Sequence, residues 1–361
     1  MSSSPAIRAL VGTYTPPKGE GKGVLEVELD PQRGALRERS VATGIANPSF
    51  LAVHPEHRFA YAVSEVMDRD GRPTGALTAL TLDGSGIRLA GSVETGSRGP
   101  CHVAVSPDGR HAVVSNYAGG AVSAVELGGE QGVLGRTDLV QHRGHGVDPD
   151  RHEAAHVHSA TFDPGGDRVL VCDLGLDRVF LYRIDAEGKL EELQDLRIEV
   201  PAGTGPRHLA FTPDGRLLCV AGELASTLVL YAYDGVSGQA EHLQTATTLE
   251  GVRPTTRNYP ADIHVHPTGR FVYVSNRGHD SIAIFGIDAD ARRVEPLGHA
   301  STGGSWPRNF AIDPEGRFLL ALNERSHTIV PFWIDAADGS LSQAGTSLSA
   351  RSPACLRWLQ S

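Results

Sequence analysis

The 361-residue chain is poor in sulfur, with two methionines and four cysteines. Cys101, Cys172, Cys219 and Cys355 are far apart, and each lies in or beside an apolar run. No two form a C-x-x-C pair, which excludes a disulfide scaffold and predicts four buried free thiols. Long apolar runs are missing too, since no stretch approaches the roughly 18 residues of a membrane-crossing helix. The stretch from Met1 to Arg8 has no continuous apolar segment, so no secretory leader and a cytoplasmic location are expected. Positive charge is in deficit: 33 Lys and Arg stand against 43 Asp and Glu, a formal net charge of −10. An acidic chain with no long single-sign tract is a poor general partner for nucleic acid. Helical periodicity is absent as well. The glycine clusters at Gly119-Gly120 and Gly203-Thr204-Gly205 therefore open no helix and make no dinucleotide-binding loop.

What the chain does have is turn formers, 42 glycines and 22 prolines, in a composition of 40% hydrophobic and 21% charged residues. That is an ordinary globular balance with many short strands. The prolines are periodic. Pro55, Pro107, Pro164, Pro213, Pro267 and Pro314 each sit in a turn such as SPDGR or HPTGR between two apolar strands, at spacings of 52, 57, 49, 54 and 47 residues. Seven residues earlier stands a second proline, namely Pro48, Pro100, Pro206, Pro260 or Pro307, with Val157 in the remaining copy. A seventh opening, Ser352-Pro353-Ala354-Cys355, comes at the C-terminus without its second strand. The first strand, Arg8 to Tyr14, reads like that missing second strand. Repeats of this size hold four short strands each and mean propeller blades. The expectation is an all-β, seven-bladed propeller filling residues 1–361 as a single domain, its ring closed by pairing the N-terminal strands with the C-terminal one. Further strands alternate, as in Gly23–Leu29, Ala121–Leu127 and Ser281–Ile287. Closure leaves no edge strand to pair, so a monomer is expected.

In such a ring the start of the first strand and the end of the second lie on one face. The residues just inside each opening include His102, His158, Arg207, His208, Asp262, Arg308 and Asn309. The second strands end in Thr13-Tyr14, Ser64-Glu65, Asn116-Tyr117, Asp173-Leu174, Gly222-Glu223, Asn276-Arg277 and Asn323-Glu324. These positions are more polar than the strands they end, and they differ in type from copy to copy. Solvated strand ends are polar in any fold, but a purely structural repeat would tend to reuse one residue. Ionisable groups crowded at a ring axis would perturb one another and suit acid–base work.

Several phrases resemble the seven-bladed lactonase family, which includes propeller-type 6-phosphogluconolactonases and carboxymuconate-lactonising cycloisomerases. They include GTYT (12–15), GPCHVAVSPDGR (99–110), SNYAGGAV (115–122), CDLGLDRVFLY (172–182), GTGPRHLAF (203–211), GELASTLVLY (222–231) and SNRGHDSIAIF (275–285). The resemblance implies action on lactones without a bound metal or other cofactor. The family's catalytic histidine lies in a Pro-His-x-His motif, here Ala155-His156-Val157-His158, and the repeat register favours His158 because it shares the slot of Arg207 and Arg308. By the same matching the GPRH arginine is Arg207, the glutamate of the Glu-Leu pair is Glu223 and the SNRG arginine is Arg277. Two positions depart from the pattern: Ala155 replaces the motif's proline, and His152 replaces a common glutamine.

Lactone hydrolysis needs an activated water and charge stabilisation at the carbonyl oxygen. The expected catalytic set is therefore His158 or Glu223 as base, with Arg207 and Arg277 on the anion. His156, His208, His102, Asn116, Asp173, Asn276, Arg308 and Asn309 are expected as substrate contacts. The partner expected is a small, anionic lactone, with 6-phosphoglucono-1,5-lactone first. A lactonising cycloisomerase and a non-catalytic binding scaffold are the alternatives. The segment from Gln141 to His158 holds five histidines and several carboxylates. A metal could sit there, but a long polar loop between blades is the simpler reading, and no metal is assigned.

Overall fold

The computed structural model describes residues 6–68, 71–83, 86–253 and 255–359. Seven antiparallel sheets stand as the blades of a propeller, six of them running outward in chain order. Blade 1 is Leu51–Val53, Phe59–Ser64, Ala76–Asp83 and Gly86–Glu94; blade 2 is Pro100–Val105, His111–Asn116, Ala121–Leu127 and Val133–Gln141. Blades 3 to 6 begin at Val157, Pro206, Tyr259 and Pro307, and in blades 3 and 6 the outermost strand is split into two short pieces. Blade 7 closes the ring. Its inner strand Pro353–Leu359 pairs antiparallel with Ile7–Thr13, Arg8 opposite Leu359 and Gly12 opposite Cys355. Among the described residues helix is confined to two single 3₁₀ turns, Leu174–Leu176 and Gln194–Leu196. Among the described residues no helix is long and apolar enough to cross a membrane.

The second and third strands are buried on both faces, because each blade is sandwiched between two others. Leu217, Cys219 and Ala221 of blade 4, for example, pack on Val272 and Val274 of blade 5. Each buried Val or Leu contributes about 1.5–3 kcal/mol. The alternation in Val24–Leu29 therefore does not mark a solvated face. All six residues are buried, and Glu26 and Glu28 are neutralised by Arg8, Arg37 and Arg39. True alternation of exposure appears in outermost strands such as Val133–Gln141. All four cysteines are buried and free. Burial pushes the Cys172 and Cys219 thiols up to about 12.

Two backbone devices repeat from blade to blade and build one end of the channel. The first is a bulge in the inner strand. Pairing jumps from Pro100 to His102, Val157 to Ser159, Pro206 to His208 and Pro307 to Asn309, leaving Cys101, His158, Arg207 and Arg308 unpaired. A bulge re-aims its extra side chain, here toward the axis. The second is a left-handed residue just ahead of the strand: Asn47, Gly99, Gly205, Trp306 and Ser352 have φ of 46, 61, 60, 66 and 46°. Its carbonyl accepts the N–H of the residue after the second strand. The pairs are Ser352 with Tyr14, Asn47 with Glu65, Gly99 with Tyr117, Gly205 with Glu223 and Trp306 with Glu324, all at 2.9–3.1 Å. Gly205 has a further reason to be glycine, since a Cβ there would lie 2.6 Å from Leu224 Cγ.

Candidate active site

At this end of the ring stands Glu223, 4% exposed and gripped by three arginines. Its Oε2 lies 2.9 Å from Arg207 Nε and 2.8 Å from Arg277 Nη2, and its Oε1 accepts from Arg151 Nη2 at 2.8 Å. Burial alone would push this carboxyl up. The Arg277, Arg207 and Arg151 guanidiniums outweigh it and hold Glu223 at about 2. Arg207 feels the reverse: burial, with Arg277 and Arg308 facing it, brings it down to about 10. It stays charged at neutral pH. Backbone carbonyls fix the two strand-borne arginines, Arg207 Nη1 donating to Ala261 O and Arg277 Nε to Tyr259 O at 3.1 Å. Among the described residues, Arg207 Nη2 and Arg277 Nη1 have no protein partner.

Three imidazoles lie beside this clamp, with ring centres 5.3 Å (His102–His208) and 5.4 Å (His158–His208) apart. Their surroundings differ. His208 Nε2 accepts from Arg207 Nη1 at 3.1 Å, so its Nδ1 carries the proton and donates to Asp262 Oδ1 at 2.7 Å. Burial and Arg207 push His208 down to about 4. His102 Nδ1 accepts from Ala160 N at 3.3 Å, and its ring lies 3.9 Å from that of Phe50. His158 is the open one. Among the described residues its ring nitrogens have one hydrogen-bond partner, Cys101 Sγ, 4.0 Å from Nδ1. Burial, then Arg207, His208 and Arg308, hold His158 well below the usual histidine range, so it is neutral.

On the other side of the channel stands Glu65. It accepts from Tyr14 Oη at 2.8 Å and from Ser49 Oγ, and it pairs with the exposed Lys18, while Arg308 Nη2 is farther off at 3.8 Å. Burial opposes ionisation, but Arg308 and Lys18 keep Glu65 below its ordinary value. Arg308 in turn is raised, the effects of Tyr14, Glu65 and Glu324 exceeding the cost of burial. Trp306 holds its left-handed backbone between Arg325, 3.5 Å over the ring, and Arg277 at 5.5 Å. A bulky residue in that region marks a constrained site.

The structure thus gathers His158, Glu223, Arg207, Arg277, His208, His102 and Arg308 at one channel mouth. His156 lies at its rim, stacked 4.6 Å from Tyr117 and 2.9 Å from Glu153. Asn309 lies deeper, donating to Asp262 Oδ2 and accepting from Leu356 N at 2.8 Å. Three expected contacts are placed elsewhere. Asn116 bonds Ser123 Oγ at 2.9 Å, and Asn276 joins Thr248 at 2.9 and 3.0 Å, tying each blade's strands or its neighbour together. Asp173 caps the 3₁₀ turn and takes the His156 amide at 2.8 Å and His142 Nδ1 at 2.7 Å. The five histidines of the 141–158 segment are dispersed. His142 bonds Asp173 and Tyr182, His152 Nδ1 accepts the Val147 and Asp148 amides, and His145 is exposed. Among the described residues no cluster of His, Cys, Asp or Glu is arranged to hold a metal ion.

Sequence reasoning passed over Arg151, Tyr117, Tyr14 and Glu65 as site residues, and Asp262 as the partner of His208. The tyrosines, Glu65 and Asp262 were visible by register. Arg151 was not, because its loop belongs to no repeat.

A family model described as Lactonase, 7-bladed beta-propeller matches residues 8–358. A 6-phosphogluconolactonase of Bacillus subtilis is 30% identical over 296 residues, 82% of this chain and 82% of its own. One from Formosa agariphila is 31% identical over 301 residues, covering 81% and 83%. The solved periplasmic gluconolactonase of Pseudomonas aeruginosa superposes with a TM-score of 0.89 at 29% identity, covering 98% of this chain and 99% of that one.

Proposed function

The chain belongs to the seven-bladed β-propeller lactonase family, and from that premise we propose that it hydrolyses the lactone of an anionic sugar acid, 6-phosphoglucono-1,5-lactone. The observation that carries this reading is His158, a neutral imidazole whose Nε2 has no partner among the described residues, beside two arginines that each keep a donor unspent. Glu223 is unsuited to the base role, because both its oxygens are occupied and it is held at about 2. It serves as the fixed counter-ion that aims Arg207 and Arg277.

In this mechanism His158 takes a proton from water as the oxygen attacks the lactone carbonyl carbon. Arg207 Nη2 and Arg277 Nη1 receive the oxyanion. The carbonyl–ring oxygen bond then breaks, and His158 returns the proton to the departing ring oxygen, leaving the open acid. A histidine held below its ordinary pKa is a weak base, but it is unprotonated at pH 7, and the oxyanion formed nearby stabilises its charged form. Arg151, Arg207, Arg277 and Arg308 stand at this mouth among Glu65, Glu223, Asp262 and Glu324, and it is the donors that Arg207 and Arg277 keep free, not a net positive charge, that favour an anionic substrate.

The test is His158→Ala, assayed with fresh 6-phosphoglucono-1,5-lactone and corrected for spontaneous opening. We expect kcat to fall by roughly 10²–10⁴ with the fold intact. Wild-type turnover in that variant would remove His158 from the chemistry, and turnover of a muconolactone in place of the sugar lactone would move the protein to the cycloisomerase branch.

A further inference from the structure

Arg151 is placed unlike the other arginines of the mouth. Arg207 and Arg277 stand on strands with side chains 2% and 7% exposed, whereas Arg151 hangs from the 142–156 loop at 29%. It spends only Nη2 on the protein, donating to Tyr117 Oη at 3.0 Å and Glu223 Oε1 at 2.8 Å. Among the described residues its Nε and Nη1 have no protein partner. Arg257 shares its aromatic neighbour. The two guanidinium carbons sit 6.0 and 5.3 Å from the centre of the same Tyr259 ring, and Arg257, 55% exposed, has one carboxylate near it, Asp148 at 3.5 Å.

The loop that carries Arg151 is anchored. His142 is bonded at both ring nitrogens, to Asp173 at 2.7 Å and Tyr182 at 2.8 Å, and His152 is fully buried on the Val147 and Asp148 amides. Arg151 and Arg257 therefore share the Tyr259 ring, and each keeps guanidinium donors that the described residues do not take. Their forked donors match the oxygens of a tetrahedral dianion.

We infer that Arg151 and Arg257, braced on Tyr259, form the subsite for the phosphate of a phosphorylated sugar lactone, outside the Arg207–Arg277 pair that faces the carbonyl. This rests on the lactone reading above and adds to it the residues that separate a phosphorylated from an unphosphorylated substrate. The 29%-identical Pseudomonas relative is named for gluconolactone and the Bacillus one for the phosphorylated acid, so the family spans both choices.

The experiment measures kcat/KM for 6-phosphoglucono-1,5-lactone and for glucono-1,5-lactone in the wild type, Arg151→Met and Arg257→Met. Losing a charge-assisted hydrogen bond costs roughly 10–100-fold, so the ratio of the two values is expected to fall by that factor in each variant, mostly through KM. Arg151→Lys should recover part of it. Arg257 does not touch Glu223, so its variant reads the phosphate with the inner clamp undisturbed. An unchanged ratio in both variants overturns the subsite while leaving the lactonase reading in place. If the wild type opens neither lactone, that reading fails, and calorimetry with inorganic phosphate decides the subsite separately. Binding lost in Arg257→Met upholds it, and no binding to the wild type overturns it.

Discussion

Glu65 and Glu223 hold the same place in blades 1 and 4. Each follows the second strand, and each gives its N–H to the left-handed residue ahead of the first, Asn47 at 3.1 Å and Gly205 at 2.9 Å. From there they diverge. Glu223 meets three guanidiniums, two rooted in strands, and is held at about 2. Glu65 meets a tyrosine, a serine and a flexible surface lysine, with Arg308 at 3.8 Å. The repeat sets where a side chain stands, and the residues in the slots of the neighbouring blades decide what it can do. One half of the mouth is a rigid ionic clamp and the other an adaptable hydrogen-bonded corner.

Glu223→Gln should separate the halves most. It leaves Arg207 and Arg277, both almost fully buried, facing a neutral amide. Breaking a buried pair by removing one partner costs about 3–5 kcal/mol. Loss of aim in the oxyanion donors should also lower kcat by roughly 10²–10³. Urea unfolding and the background-corrected lactone assay measure the two effects. Wild-type stability in Glu223→Gln would show that the clamp is not structural.

Acid titration comes next. Glu223 binds its proton near 2 in the folded state against an ordinary ~4.3, so the unfolded chain takes the proton first as pH falls. Its contribution, about 3 kcal/mol from that difference, is complete above about pH 4.3 and lost on the way to pH 2. His208 behaves alike in a higher window. It is held at about 4 against an ordinary ~6.5, its neutral form is the folded one, and stability declines as pH falls from about 6.5 to 4. Urea midpoints from pH 8 to 3 should therefore fall in two stages. A flat profile down to pH 4.5 would mean the channel histidines are protonated at little cost.

Glu65→Gln is expected to be milder. An amide can still accept from Tyr14 and Ser49, so the loss should be about 1–2 kcal/mol, and kcat/KM should drop by less than roughly tenfold. An effect as large as that of Glu223→Gln would break the distinction between the two corners.

The ring was legible because proline spacing counts blades directly, and because Arg8–Tyr14 and Ser352–Cys355 are visibly two halves of one copy. The mouth was half legible. Consecutive residues of an extended strand point to opposite sides, so at each second-strand end only one of two polar neighbours reaches the axis. In Asn116-Tyr117 the first residue bonds within its blade while the second lies beside His158, which is why Asn116 became a staple, and Asp173 is likewise spent on His142 and the 3₁₀ turn. The polarity of a strand end does not say which of the pair turns inward, whereas the bulge behind Pro206 and Pro307 does for Arg207 and Arg308. Arg151 and Arg257 lie in loops with no counterpart in other blades, so no register could place them.

Salt gives the smallest effect and tests the comparison without a mutation. The Debye length is about 10 Å at 0.1 M and about 3 Å at 1 M, and screening acts on exposed charge far more than on buried charge. The Glu223 clamp, with Arg207 and Arg277 at 2% and 7% exposure, should therefore keep its geometry at high salt. Lys18, 45% exposed, should loosen from Glu65. The attraction of the arginine donors for an anion is screened as well. From low salt to about 0.5 M, kcat/KM for 6-phosphoglucono-1,5-lactone should fall several-fold while kcat holds. Uncharged glucono-1,5-lactone should show little change in either. A falling kcat for both substrates would place the salt-sensitive contact inside the clamp and would reverse the assignment of rigid and adaptable halves.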